Sequence, residues 1–210
     1  MSFYSDKDIQ DNFKALFPSE ERLIPDRLQP SSYELRLGSE VFISGTKKLV
    51  RLGEDYDEYL AIRPGDMAIL LTKETVDIPP DIMGFIAVRT KYKNRGLVNI
   101  SGFHVDPGFK GKLTFSVYNA GPSDIILRYL DPVFIIFFAT LSKEAETPYD
   151  KEQKKISAES MSNLAGESVS PLSLHERLSK LEHTTQMQWG LFAAVAIGVF
   201  ITIIKVVMNG

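Results

Sequence analysis

Between Gly84 and Leu97 the chain reads Gly-Phe-Ile-Ala-Val-Arg-Thr-Lys-Tyr-Lys-Asn-Arg-Gly-Leu, an apolar run that ends in four cations within seven residues: Arg89, Lys91, Lys93 and Arg95. Such a group suits phosphate oxygens. Arg offers forked donors, Lys a mobile charge, and Thr90 with free backbone N–H groups at a helix start adds neutral donors. A solvated basic loop has the same composition, so neighbouring segments must decide between the two. One of these is Ser101-Gly-Phe-His-Val-Asp-Pro-Gly-Phe-Lys-Gly111, where Asp106 precedes a Pro-Gly turn and Phe109 comes directly after it. Pro107 presets the turn and Gly108 supplies positive φ. Asp106 can hydrogen-bond its own turn, or it can orient a water or a sugar hydroxyl with Phe109 as an apolar floor.

Other chemistries are excluded by composition. With no Cys in 210 residues there is no disulfide framework, no thiolate metal site and no cysteine nucleophile. Zinc-dependent deamination needs His and Cys ligands, and the only histidines are His104, His175 and His183, so no zinc is expected. A formal net charge of -3 carries no global basic excess, and no nucleic-acid partner is expected.

The elements that must position these residues are mostly strands. From Gln29 to Leu141 short apolar stretches such as Glu40–Ser44, Asp66–Leu71, Gly84–Val88 and Lys112–Tyr118 are separated by turns at Pro64-Gly65, Pro79-Pro80, Pro107-Gly108 and Gly121-Pro122. That spacing predicts a sandwich or barrel-like sheet. Ile9, Phe13, Leu16 and Phe17 recur at roughly helical spacing, which predicts one short helix packed on the sheet.

Beyond residue 149 the composition changes twice. Residues 150–170 are polar and read as a linker. Residues 171–186 read as a short helix, with Ser173 and Glu176 at capping-box spacing and Leu174, Leu178 and Leu181 spaced four and three apart. Such a seam can zip against another copy or lie on its own domain. Residues 187–210 hold one charge, Lys205, and the apolar stretch 189–208 makes a helix of roughly 30 Å, enough to cross a hydrocarbon core. Trp189 suits one interface, and Lys205 can snorkel to the other. The expectation is a single-pass C-terminal anchor in a lipid bilayer, with residues 1–149 on the cytoplasmic side. The opening Met1–Asp8 is polar, so no cleaved secretory signal is expected.

Four blocks together carry a resemblance: Leu28–Gly38, Ile62–Asp66, Thr75–Thr90 with its Ile-Pro-Pro-Asp-Ile-Met-Gly-Phe-Ile core, and Val105–Gly111. In this order they resemble the dCTP deaminase and dUTPase superfamily, and Ser5–Ile9 resembles the start of dCTP deaminases. The likeness covers about residues 3–149. It implies a mainly β protein with a distorted β-barrel, assembled as a homotrimer whose sites are shared between neighbouring subunits, and a pyrimidine deoxynucleotide as ligand. Position by position, it implies phosphate binding by Arg89, Thr90 and Lys91, with Arg95 beside the family's second loop arginine, where this chain has Asn94. Asp106 takes the place of the aspartate that positions the attacking water, Phe109 that of the aromatic under the sugar, and Ser101 and Gly102 that of the hairpin that reads the base. Any Mg²⁺ is implied to bind through the substrate's phosphates, not through side chains of the protein.

The departures set the chemistry expected. Ser116 stands where the deaminases carry a proton-shuttling glutamate, and a hydroxyl cannot replace that base; loss of a general base costs about 100-fold to 10,000-fold in rate. The strand Leu113–Asn119 is closer to the dUTPase version, so diphosphohydrolase chemistry is less impaired. Tyr129–Ile135 lacks the family's Gly and Gln in the corresponding block, and the Gly-rich arm that closes over dUTP is replaced by the linker and apolar helix. An active hydrolase and a silent nucleotide sensor or trimeric scaffold both fit this pattern.

Overall fold

The computed structural model describes residues 2–53, 58–164 and 171–208. The chain divides into two units, residues 1–168 and 169–210.

The first unit opens with α1 (Asp6–Asp11) and α2 (Phe13–Leu16), two short turns of helix where the sequence predicts one. Ser5 caps α1 by accepting from the Asp8 N–H, and the Asp8 carboxylate accepts in return from the Ser5 N–H at 2.9 Å. The chain breaks at Asn12, but Ile9, Phe13, Leu16 and Phe17 are all buried, so the apolar spacing survives the break.

The strands are β1 (Leu28–Gln29), β2 (Ser32–Ile43), β3 (Lys48–Arg51), β4 (Tyr59–Ile62), β5 (Met67–Asp77) and β6 (Ile82–Val88). After the one-turn helix α3 (Thr90–Lys93) come β7 (Leu97–Asn99), β8 (His104–Val105), β9 (Lys110–Asn119), β10 (Ile125–Arg128), β11 (Pro132–Thr140) and β12 (Glu152–Gln153). One curled sheet runs in the order β12-β9-β5-β2-β11-β6-β8, with β1 and β3 on β2 and β7 on β9, while β4 and β10 form a separate ribbon. Register shifts in β2, β5 and β11 mark the bulges that let so long a sheet bend. This half-barrel is mainly β, as the strand and turn pattern predicts, and of the sandwich and barrel-like sheets left open there it is the barrel-like one, as the family resemblance implies.

Alternation along the strands builds the core. On β9 the residues Leu113, Phe115, Val117 and Asn119 face inward, and the Phe115 ring stacks on Phe134 of β11 at 3.8 Å. A buried ionic group joins β2, β5 and the loop that follows α2. Arg36 of β2 pairs with Glu20, and its Nε donates to Glu74 Oε1 at 2.5 Å, with the Glu74 side chain fully buried.

The segment read as a polar linker is partly built into this unit. β12 pairs in parallel with the start of β9, and α4 (Ala158–Leu164) follows. Ile156 is buried against Phe42, Ile69 and Leu71, with Met161 and Leu164 packed beside it. Three apolar residues suffice to cover an apolar patch on the outer face of β2 and β5, too few to stand out in a polar composition. Residues 165–170 lie outside the described set.

The second unit is one helix, α5 (Pro171–Met208), 38 residues without interruption. The two segments expected at 171–186 and 187–210 are therefore continuous over roughly 57 Å. The side chains of Ser173 and Glu176, read as a capping box, are outside the described set. Among the described residues this is one helix long and apolar enough to cross a membrane.

Candidate functional site

A cavity of about 280 Å³ opens where β6, β8, β9 and the segment before β12 converge, and Ser101, Gly102, Asp106, Phe109 and Thr114 line it. Its frame comes from two glycines. β8 pairs with β6 through Gly84 and Val105, and a Cβ at Gly84 would stand 3.2 Å from the Val105 Cβ, so the missing side chain permits the close approach. The Asp106-Pro107-Gly108 turn closes with the Phe109 N–H donating to the Asp106 carbonyl at 3.1 Å. Gly108 has φ +86°, and a Cβ there would lie 2.7 Å from the Tyr149 carbonyl oxygen. The turn residue thus supplies positive φ and makes room for the chain that walls the cavity.

That wall is the segment leading into β12. The Tyr149 N–H donates to the Pro107 carbonyl at 2.8 Å, its ring lies 5.6 Å from that of Phe109, and Gln153 Nε2 donates to Thr114 Oγ1 at 3.2 Å. Phe109 is buried and forms the apolar side. Across from it the Ser101 hairpin is pinned: the Ile100 and Ser101 N–H groups donate to the Ser116 carbonyl at 2.8 and 3.2 Å, and Ser101 Oγ donates to Asn99 Oδ1 at 2.6 Å. Nothing stands within 4 Å of a Cβ built on Gly102, so backbone there is open to a ligand. Ser116 is two residues from Thr114 on the same face of β9, and it does not itself line the cavity.

Asp106 stands at the rim. Its side chain is 55% exposed, and Oδ1 lies 3.5 Å from Nε2 of His104, another lining residue. The sequence motifs give His104 no role. Its position two residues before Asp106, at the end of an extended strand, was the available signal, since alternate residues share a face.

The cations predicted to bind phosphate are not in this cavity. Arg89 Nη2 lies 2.7 Å from Glu34 Oε1, and Nη1 donates to the Pro132 carbonyl at 3.1 Å. Burial pushes the Glu34 carboxyl above its usual pKa, with Arg89 pulling it back only in part. Thr90 is exposed at the first position of α3. Lys91 Nζ sits 5.4 Å over the Tyr92 ring, and Arg95 Nη2 donates to the Asp124 carbonyl at 3.1 Å. The structure therefore gathers Ser101, Gly102, Asp106 and Phe109, and sets Arg89, Thr90, Lys91 and Arg95 apart from them within one chain.

A family profile described as dCTP deaminase-like matches residues 3–141, and the chain belongs to that family. The dCTP deaminase of Pyrococcus abyssi is 36% identical over 124 residues, spanning 59% of this chain and 77% of that one. A dUMP-forming dCTP deaminase of Methanopyrus kandleri is 30% identical over 174 residues, covering 74% of this chain and 90% of its own length. Among solved structures, the 2'-deoxycytidine 5'-triphosphate deaminase of Agrobacterium tumefaciens shares the fold, with a TM-score of 0.55 at 18% identity over 65% of this chain. This chain spans about half of that protein, with 48% of it covered. The family match ends before α5 begins.

Proposed function

We propose that this chain holds a pyrimidine deoxynucleotide of the dUTP or dCTP type in the Asp106 cavity, and that hydrolysis of the phosphate chain fits its residues better than deamination does. One observation carries the reading: a half-exposed carboxylate stands at the rim of a cavity with an aromatic floor, an open backbone hairpin and room for a nucleoside. In that setting Asp106 orients the attacking water or a sugar hydroxyl, and Phe109 packs against the sugar. Ser116 supplies no proton shuttle, which disfavours deamination. The relative named for forming dUMP offers a precedent for phosphate loss, because dUMP differs from dCTP by two phosphates as well as by the amino group.

The separation of Arg89, Thr90, Lys91 and Arg95 from the cavity supports a homotrimer in which one subunit's cations meet the phosphates of a nucleotide seated in its neighbour. Among the described residues no three His, Asp or Glu side chains cluster as a metal site. Mg²⁺ would accordingly arrive on the nucleotide, held by its phosphate oxygens, and supply charge neutralisation there. We further infer that α5 anchors the chain in a bilayer through residues 189–208, with the folded unit on the cytoplasmic side. Its apolar side chains, Trp189 and Phe192 among them, are exposed throughout the second unit and call for a non-aqueous surrounding.

A second reading, a silent nucleotide sensor or a trimeric scaffold, is favoured by the Arg89–Glu34 ion pair, which already occupies the leading phosphate arginine. A panel of deoxynucleotides, scored for binding, diphosphate release and ammonia release, separates the two. Turnover of dUTP or dCTP to a monophosphate supports the hydrolase. Binding without turnover selects the sensor, and neither binding nor turnover refutes both nucleotide readings.

A further inference from the structure

The chain from Pro171 onward lies outside the family match, and its first half presents a face that no described residue of its own unit covers. Leu174, Leu178 and Leu181 are 47%, 57% and 63% exposed on α5. Their spacing of four and three puts them on one stripe of the helix, and Thr185 continues it. The Thr185 hydroxyl donates to the Leu181 carbonyl at 2.8 Å, so it can enter an apolar seam with its donor already satisfied. Three leucines alone fit a second copy, a membrane surface or another part of the chain equally well.

The charges beside the stripe distinguish these occupants. Arg177 precedes Leu178 and Glu182 follows Leu181, so the two flank the seam on opposite sides, five residues apart. When identical helices pack parallel and in register, the residue before one seam position faces the residue five further along the neighbour. Arg177 of each copy then meets Glu182 of the next, with opposite charges at every contact. An antiparallel packing sets each flank against the same flank of its neighbour, so Arg177 and Glu182 lie on different sides and lose this pairing. A helix lying on a membrane calls for Lys and Arg along its polar face. Between Leu174 and Gln186, however, two Lys or Arg are balanced by two Glu. Parallel packing is also the sense required if the apolar ends of several copies enter one bilayer from the same side, a clause that rests on the anchored reading.

We propose that residues 174–185 form a parallel, in-register stalk with the same segment of other copies of this chain. Leu174, Leu178 and Leu181 zip it, and Arg177–Glu182 pairs between copies set its orientation and register. The chemistry of the Asp106 cavity plays no part in this.

The absence of cysteine makes the test direct, because one introduced thiol is the only one in the chain. The full-length protein is oxidised mildly in detergent micelles and in lipid vesicles as Leu181→Cys and, separately, as Ser179→Cys, which lies off the stripe. A parallel stalk brings position 181 against itself, so Leu181→Cys should form the disulfide-linked dimer about tenfold faster than Ser179→Cys. Adding Arg177→Glu to Leu181→Cys should slow cross-linking about fivefold, and adding Glu182→Arg as well should restore it. Equal rates at 179 and 181 would mean that the helices are merely tethered near one another, which overturns the proposal. So does the lack of any disulfide at 181, or a rate at 181 indifferent to Arg177→Glu. The micelle arm needs no bilayer, so a failure of the anchored reading leaves this result interpretable.

Discussion

Arg89 at the end of β6 and Glu34 on β2 meet at 2.7 Å although β11 runs between their strands. The pair follows from register: Ile135 of β11 lies opposite Glu34 on one side and Ala87 on the other, so the two long side chains converge across one strand. The same arginine is the leading candidate for phosphate contact. Occupied by Glu34, it is either held ready for a phosphate or permanently spent on structure.

Arg89→Ala separates these roles. If Arg89 turns to a nucleotide, the variant should lose about 1.5 to 3 kcal/mol of triphosphate affinity, the range for a hydrogen bond to a charged group, with nucleoside affinity unchanged. Calorimetry with a triphosphate and its nucleoside reads the difference. Equal loss for both ligands would assign Arg89 to the fold alone.

For Asp106, substitution by Asn preserves size and removes the carboxylate. In a hydrolase, turnover should fall by about 1,000-fold, within the usual range for a lost acid–base group, while triphosphate affinity stays close to that of the parent. His104→Ala should lower turnover in the parent and have little effect in an Asp106→Asn background, since the two side chains act as a pair at 3.5 Å. Additive effects in the double variant would show that they work independently.

The anchor is tested by fractionation. Full-length chain should stay with membranes through carbonate washing, whereas a chain ending before Gln186 should be found in the soluble fraction. A folded unit on the cytoplasmic side should be digested by protease added to the cytoplasmic face of sealed vesicles. Release of the full chain by carbonate alone would remove the spanning claim, and a protected unit would reverse its orientation.

What the sequence disclosed is what local rules govern. Alternation along Lys112–Tyr118 and the Pro107-Gly108 turn mark strands and a bend, and both stand in the structure. The apolar spacing of Ile9, Phe13, Leu16 and Phe17 marks a packed helix even though the backbone breaks at Asn12. Partnerships between residues distant in sequence were hidden. Glu34 and Arg89 are 55 positions apart, by subtraction, and no spacing rule joins them. Ile156, Met161 and Leu164 dock their segment with three apolar side chains, which composition averages away. The site divided along the same line: Ser101, Gly102, Asp106 and Phe109 lie close in sequence and share a cavity, while the distribution of cations around it depends on neighbours that strand register, and any partner subunit, must bring.

Glu74 offers a prediction about stability. Its carboxylate is fully buried, and burial pushes its pKa above the usual value, with the hydrogen bonds and charge of Arg36 offsetting only part of that rise. A carboxyl raised in this way holds its proton more tightly in the folded state than in the unfolded one. Its contribution to stability is therefore fully present below the unfolded pKa and is lost as the pH rises through the folded value. Glu34 and Asp66 are raised by burial in the same direction. Glu74→Gln removes this titration while keeping the neutral shape. Measured by thermal melting from about pH 4 to about pH 8, the variant should gain on the parent as the pH rises. Arg36→Met acts oppositely: it leaves Glu20 and Glu74 without their shared partner and should cost about 3 to 5 kcal/mol near neutral pH, the range for breaking a buried pair from one side. If Glu74→Gln instead loses ground as the pH rises, pairing with Arg36 outweighs burial, and the direction assigned to Glu74 is wrong.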